Sequence, residues 1–153
     1  MRTFLIVLMM TLASHAGAGI VDENFKLSTI AEVDVKLVDN ATGACWTNLR
    51  EVREYAEEKL RMKGANVVNL SEWSPLANKR KYRLAINVGS RRYFKDGSGN
   101  CVGSILIELF TYAQINEYYH QAIIGNAMFN DSDQANHNRS AIEALSEFIG
   151  ELK

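Results

Sequence analysis

Residues 81–112 read KYRLAINVGSRRYFKDGSGNCVGSILIELFTY, and the alternation within them decides the fold. Tyr82, Leu84, Ile86 and Val88 are apolar at every second position, and Cys101, Ile105, Ile107 and Leu109 share one face after a gap. A period of two marks a strand with one buried face. Between the two runs, Lys95-Asp96-Gly97-Ser98-Gly99-Asn100 has the glycines and short polar side chains of a hairpin loop. Antiparallel partners directly opposite each other share a face, so the pairing can be tested. With Phe94 opposite Cys101, Val88 falls opposite Ile107 and Ile86 opposite Leu109, and both apolar rows land on one side. The same register sets Arg83 across from Tyr112 and Ala85 across from Phe110.

Upstream, Val33, Val35 and Leu37 alternate with Asp34 and Lys36, which predicts a half-buried strand from residue 31, followed by turn chemistry at residues 39–43. Asn48 with Glu51 three residues later predicts a helix start, and Leu49, Val52, Ala56 and Leu60 recur at helical spacing until Gly64. Arg50 with Glu54, and Arg53 with Glu57 and Arg61, are opposite charges four apart and read as a solvated face. Residues 65–70 predict a short second strand, parallel to the first through a right-handed crossover. Residues 71–79, with Trp73 and Pro75, predict a surface loop.

Downstream, a turn at residues 113–117 leads into a fifth strand over residues 118–125. Asp131-Ser132-Asp133 then predicts the cap of a last helix with Ile142, Leu145, Ile149 and Leu152 as its buried stripe. The order β-α-β-β-β-β-α predicts an α+β two-layer sandwich, with two helices on one face of a mixed, mostly antiparallel sheet.

Length and composition agree with such a fold: 153 residues, 47% hydrophobic and 23% charged, are those of a globular protein. Residues 31–153 are expected to form a single α+β domain, preceded by a leader segment, residues 19–30, that the pattern does not place. Residues 1–18, MRTFLIVLMMTLASHAGA, carry one Arg, an apolar run from Phe4 to Leu12, and Ala16 and Ala18 at signal-peptidase spacing. That run is shorter than the roughly 20 apolar residues a spanning helix needs. A signal peptide with cleavage before Gly19 is expected, and with it a periplasmic or secreted protein. Export favours a disulfide between Cys45 and Cys101. The CxxC spacing and nearby histidines of a zinc site are missing, so no metal is expected. The sequons at Asn40, Asn69, Asn130 and Asn138 matter only in a eukaryotic source and are read as coincidental.

A net charge of −1 selects no class of partner, but its distribution is uneven. Lys79, Arg80, Lys81, Arg83, Arg91, Arg92 and Lys95 crowd one stretch with only Asp96 of opposite sign beside them. On the sheet face away from the helices, Lys81, Arg83, Arg91 and Tyr93 come to lie beside Leu106, Glu108, Phe110 and Tyr112. Arg83, Arg91, Tyr93, Phe110 and Tyr112 are therefore the candidate binding residues, expected to form a contiguous exposed surface. Interleaved cations and rings suit nucleic acid in the cytosol. In an exported chain they suit an envelope protein, an anionic polymer, a lipid headgroup or a second copy in a homodimer. The competing expectation is that residues 19–30 or a second copy simply cover these groups.

Catalytic motifs are missing: His120 and His137 have no HExxH, GxSxG or P-loop with them, and Gly97-Ser98-Gly99 joins two strands where a phosphate cradle leads into a helix. No cofactor is expected. The chain reads as an exported, non-enzymatic interaction module of the cell envelope. Its alternative is a small hydrolase or transferase using His120, with Glu108 or Glu117 as the orienting carboxylate.

Overall fold

The computed structural model describes residues 20–21, 25–27, 32–69, 81–94, 96, 98–115, 118–133 and 135–152. Along the chain these form β1 (Ile20–Val21), β2 (Glu32–Ala41), α1 (Leu49–Met62), β3 (Lys81–Arg92), β4 (Cys101–Ile115), β5 (Tyr118–Asp133) and α2 (Asn138–Glu151). The sheet order is β1-β5-β4-β3-β2, with β2 parallel to β3 and the other neighbours antiparallel. The result is the α+β two-layer fold that the pattern predicts, with β1 a two-residue edge. The expected signal peptide and the loop at residues 71–79 lie outside the described residues.

The central hairpin pairs two residues away from the expected register: Ile86 faces Ile107, Val88 faces Ile105 and Arg92 faces Cys101. A shift of two returns every side chain to the same face, so alternation alone cannot choose between the two pairings. The loop chooses. Tyr93 N–H donates to Asn100 O at 2.9 Å, and the Asp96 carboxylate accepts both the Ser98 N–H at 2.9 Å and the Ser98 hydroxyl at 2.6 Å. The hydroxyl bond, then the amide bond, hold the Asp96 carboxyl below its usual range. Gly99 completes the turn at φ +83°, with the Phe94 ring 2.7 Å from where a Cβ would stand. In consequence Arg83 lies across from Phe110 and not Tyr112, and Ala85 across from Glu108 and not Phe110.

Two further expectations change. Among the described residues, 65–69 supply one parallel bridge, Val33 to Val67, framed by Val33 N–H to Asn66 O and Val68 N–H to Val33 O, both 2.9 Å. The long partner of β2 is β3, paired from Glu32–Lys81 to Ala41–Ser90, so the crossover through α1 ends on β3. Likewise β5 continues past Gly125 to Asp133, opposite Cys101, so Asp131, Ser132 and Asp133 extend a strand. The last helix starts later, with His137 at its N-cap. A bulge between Leu109 and Phe110 leaves Ile124 as the extra residue on β5.

Helix α1 ends as its pattern predicts. Gly64 sits at φ +88°, its N–H bonds Arg61 O at 2.9 Å, and Ala65 N–H bonds Leu60 O at 3.0 Å. Val52, Ala56 and Leu60 from α1, and Ala141, Ala144, Leu145, Phe148 and Ile149 from α2, are buried. They join Val33, Val35, Leu84, Ile86, Val88, Ile105, Ile107 and Leu109 of the sheet in one core. Phe25 and Leu27, from the segment left unplaced by pattern, belong to this core, and the Phe25 ring lies 5.8 Å from that of Tyr82.

The helices run parallel, and each end is tied. Where they begin, the Cys45–Cys101 disulfide spans Cα atoms 5.5 Å apart, and Asn138 Oδ1 accepts the Thr47 N–H at 2.9 Å. Arg92 donates there to Gly43 O and Gly99 O at 3.0 Å and to Ala135 O at 2.8 Å. Where they end, the Lys63 ammonium donates to Gly150 O at 2.9 Å and to Leu152 O.

Gly103 lies opposite Ser90, and a Cβ there would stand 2.2 Å from Gly89 O. Backbone cannot yield as a flexible side chain can. Gly103→Ala is therefore expected to destabilise the protein by about 1–3 kcal/mol, measured as a lower urea midpoint at unchanged slope.

Candidate functional site

The sheet face away from the helices divides into two halves. Over β2 and β3 it is ionic, and Lys81 and Arg83 are paired there. Parallel pairing sets Glu32 beside Lys81 and Asp34 beside Arg83. Lys81 Nζ lies 3.0 Å from Glu32 Oε2, and Arg83 donates to Asp34 Oδ2 from Nε at 2.9 Å and from Nη2 at 2.7 Å. Asn40 Nδ2 donates to Asn87 Oδ1 at 3.0 Å nearby. The carboxylate that neutralises Arg83 comes from 49 residues earlier in the chain, which is why the basic run looks unpaired as sequence. Arg92 points to the helix side and is spent on its three carbonyls, whereas Arg91, opposite Val102, stays exposed. Lys79, Arg80 and Lys95 lie outside the described residues.

Over β4 and β5 the same face mixes apolar and polar side chains. Val102, Leu106 and Phe110 alternate with Ser104 and Glu108 along β4, with Met128 across from Leu106, Asn126 across from Glu108 and Ile123 across from Phe110. Val102 is exposed, Met128 is 54% exposed and Ile123 52%. At the hairpin tip Tyr93 is 71% exposed and meets the Phe94 ring edge-on at 5.0 Å.

Of the five residues singled out by sequence, Arg91 and Tyr93 are exposed and Tyr112 is half-buried. Arg83 and Phe110 do not belong to an exposed surface. The Arg83 side chain is only 17% exposed in its ion pair, and Phe110 is 8% exposed on the central strand. Arg83 flanks Phe110 on one side, Ile123 on the other, and the Tyr112 ring packs edge-on at 6.0 Å. Central strands have neighbours on both sides, and long neighbours close over a ring between them. The exposed apolar side chains are Val102 on β4 and Met128 and Ile123 on β5. Pattern had a signal for Met128, since Ala127 is buried and Phe129 packs on the core while Met128 and Asn130 point outward. The turn-like Asp131-Ser132-Asp133 masked it.

His120 is placed apart from Glu108, one of the two carboxylates named for it. His120 is exposed and pairs with Ala113, whereas Glu108 pairs with Asn126, about 17 Å further along the strands at 3.4 Å per residue. Glu117 lies outside the described residues. His137 is fully buried, its Nε2 2.6 Å from Ser90 Oγ, whose hydroxyl is also 3.3 Å from Val102 O. Serine beside histidine is the pairing of a nucleophile and its base, but a nucleophile must reach substrate. Both residues here are buried, and the pair joins the start of α2 to β3. Among the described residues, no group of three or more His, Cys, Asp or Glu is placed to hold a metal ion, and no helix is long and apolar enough to cross a membrane.

No protein-family model and no curated protein matches the chain. Solved structures do. The PelC dodecamer from Paraburkholderia phytofirmans in space group P6 aligns with a TM-score of 0.54 at 19% identity, over 90% of this chain and 99% of that one. A single-substitution variant of that dodecamer in space group C2 aligns with a TM-score of 0.51 at 16% identity, over 84% and 91%. At such identities the likeness is one of fold, and it extends over nearly the full length of both chains.

Proposed function

We propose that the chain is an exported, non-enzymatic envelope module that binds a macromolecular partner through the β4–β5 half of its open sheet face, and that further copies of itself are such a partner. The observation that carries this is the set of exposed apolar side chains Val102, Met128 and Ile123, with half-buried Leu106 across from Met128, set among Ser104, Glu108, Asn126 and Asn130 on one sheet face. Large apolar side chains grouped on one exposed face favour an interaction site there. Arg91, Tyr93 and Tyr112 form its rim, while Arg83 and Phe110 support it from beneath. Two solved chains of this fold are described as dodecamers, which favours self-assembly over a single foreign partner. The buried Cys45–Cys101 disulfide and the signal-like residues 1–18 support export, since such bonds persist outside the reducing cytosol.

Light scattering on the mature chain is expected to give a multiple of the monomer mass. Met128→Asp with Ile123→Asp should return the monomer while the melting temperature changes little, because both side chains are half in water already. A wild-type chain that stays monomeric at high micromolar concentration overturns self-assembly. Intact mass of exported material should place the first residue at Gly19; a product retaining residues 1–12 would remove the argument for a cleaved signal.

A further inference from the structure

We propose that a second copy of the chain sits face to face on this sheet, related to the first by a two-fold axis along the row Asn87–Leu106–Met128. This rests on the self-assembly proposed above and names the surface that carries it. The open face is banded. Along β4 the apolar side chains Val102, Leu106 and Phe110 recur every four residues, about 14 Å apart, with Met128 in the Leu106 row and Ile123 in the Phe110 row. The two rows between them are polar, Ser104 beside Asn130 and Glu108 beside Asn126. On β3 those polar rows hold small residues, Gly89 opposite Ser104 and Ala85 opposite Glu108.

The bands are symmetric about the Leu106 row, which is what a two-fold contact requires, since each pair of facing residues then occurs twice with the copies exchanged. With the axis there, Leu106 and Met128 meet their own copies, Phe110 meets Val102, and Glu108 meets Ser104. Apolar bands fall on apolar bands and polar on polar, with the strands of the two sheets aligned, as stacked sheets adopt at about 10 Å. Glu108 shows what the second copy supplies. It is half-buried on β4 between Ala85 and Asn126, and among the described residues no hydrogen bond or ion pair meets its carboxylate. Facing it in the pair is the Ser104 hydroxyl of the second copy, with the Asn130 amide on one side and open space over Gly89 on the other, where an added Cβ would meet nothing within 4 Å. A carboxylate that loses water to an opposing sheet needs such donors and the room to reach them. One like-charge meeting remains, Arg91 over Arg83, and the Asp34 carboxylate already balances Arg83. Five rows across four strands cover about 650 Å², and side-chain relief brings the accessible area buried near the roughly 800 Å² per partner of a standard interface.

The test places charge across the axis. Ser104 and Glu108 of one copy are about 14 Å apart along β4, beyond the screening length of about 8 Å at physiological salt, so a charge at residue 104 acts on Glu108 of the second copy far more than on its own. In the full mature chain, Ser104→Lys is expected to lower the dissociation constant of the pair about tenfold, and Ser104→Asp to raise it about tenfold, read by sedimentation equilibrium. Adding Glu108→Lys to Ser104→Asp should restore tight pairing. A chain that assembles but responds to Lys and Asp in the same direction, or to neither, overturns the two-fold pairing and leaves self-assembly standing. A wild type that stays monomeric at high micromolar concentration overturns both. If a residue-104 variant fails to fold, cysteines decide the geometry. Asn126→Cys and Asn130→Cys chains, mixed and treated with a thiol cross-linker matched to the roughly 10 Å between stacked sheets, should join to each other and not to themselves. Equal joining within either chain alone, or none in the mixture while wild type assembles, overturns the axis.

Discussion

Arg83→Ala is expected to destabilise the monomer by about 3–5 kcal/mol, although Arg83 lies on the open face of the sheet. Its guanidinium gives two hydrogen bonds to Asp34 Oδ2, and Asp34 is only 4% exposed. Removing the arginine leaves a buried carboxylate with its main counter-charge gone, and the cost of such a charge far exceeds that of a lost surface contact. Asp34→Ala should be comparably harmful by the same argument in reverse. Asp34→Leu combined with Arg83→Met should recover much of the loss, because an apolar pair of similar volume escapes the desolvation that the ion pair only offsets. Arg91→Ala, on the same strand and face but exposed, is the control and should change stability by less than about 0.5 kcal/mol. Urea unfolding of the four chains at neutral pH measures this. A loss below about 1 kcal/mol for Arg83→Ala would mean that Asp34 is hydrated once its partner is gone.

Reduction of Cys45–Cys101, or its replacement by two alanines, is expected to cost about 4 kcal/mol, because the bond closes a long loop whose ends the unfolded chain must otherwise bring together. The two cysteines are 56 residues apart, and that loop holds α1 and all of β3. For a chain of this size the loss corresponds to a fall in melting temperature of about 8–16 °C. Measured against a typical stability of about 5–15 kcal/mol, it would remove between about a quarter and four fifths of the total. Calorimetry with and without reductant reads the effect, and peptide mapping without reductant should recover Cys45 and Cys101 in one linked fragment. A shift of only a degree or two would mean that the remaining ties at this end, Arg92 on its three carbonyls and Asn138 on Thr47, hold it nearly as well.

The two effects lie on opposite faces of the sheet, and they differ in how far they can be read from the chain. A disulfide between the two cysteines follows from their number and the signal-like start. The ion pair does not, because Asp34 and Arg83 become neighbours only when β2 settles beside β3. That pairing was hidden by residues 65–70, whose apolar character fits a strand but of which the described 65–69 contribute one bridge, at Val67.

The candidate surface has the same history. Side-chain alternation along residues 81–112 assigns each residue to a face, since every second Cβ of a strand points the same way. For that reason the covered face with Ile86, Val88, Ile105, Ile107 and Leu109 and the outward position of Arg91 were legible in one dimension, as the two helices were from the helical spacing of Leu49, Val52, Ala56 and Leu60 and of Ile142, Leu145, Ile149 and Leu152. Alternation says nothing about which strand lies beside which, or about a register shifted by an even number. Those were settled by the bonds of the loop around Asp96 and Ser98, by the full length over which β5 can pair with β4, and by the bulge that turns Ile123 outward. Exposure is likewise a property of neighbours. Phe110 and Arg83 point away from the helices as their parity requires, yet they are covered because β2 and β5 flank them, while Met128 and Ile123 stay in water because they stand near the edge of the sheet.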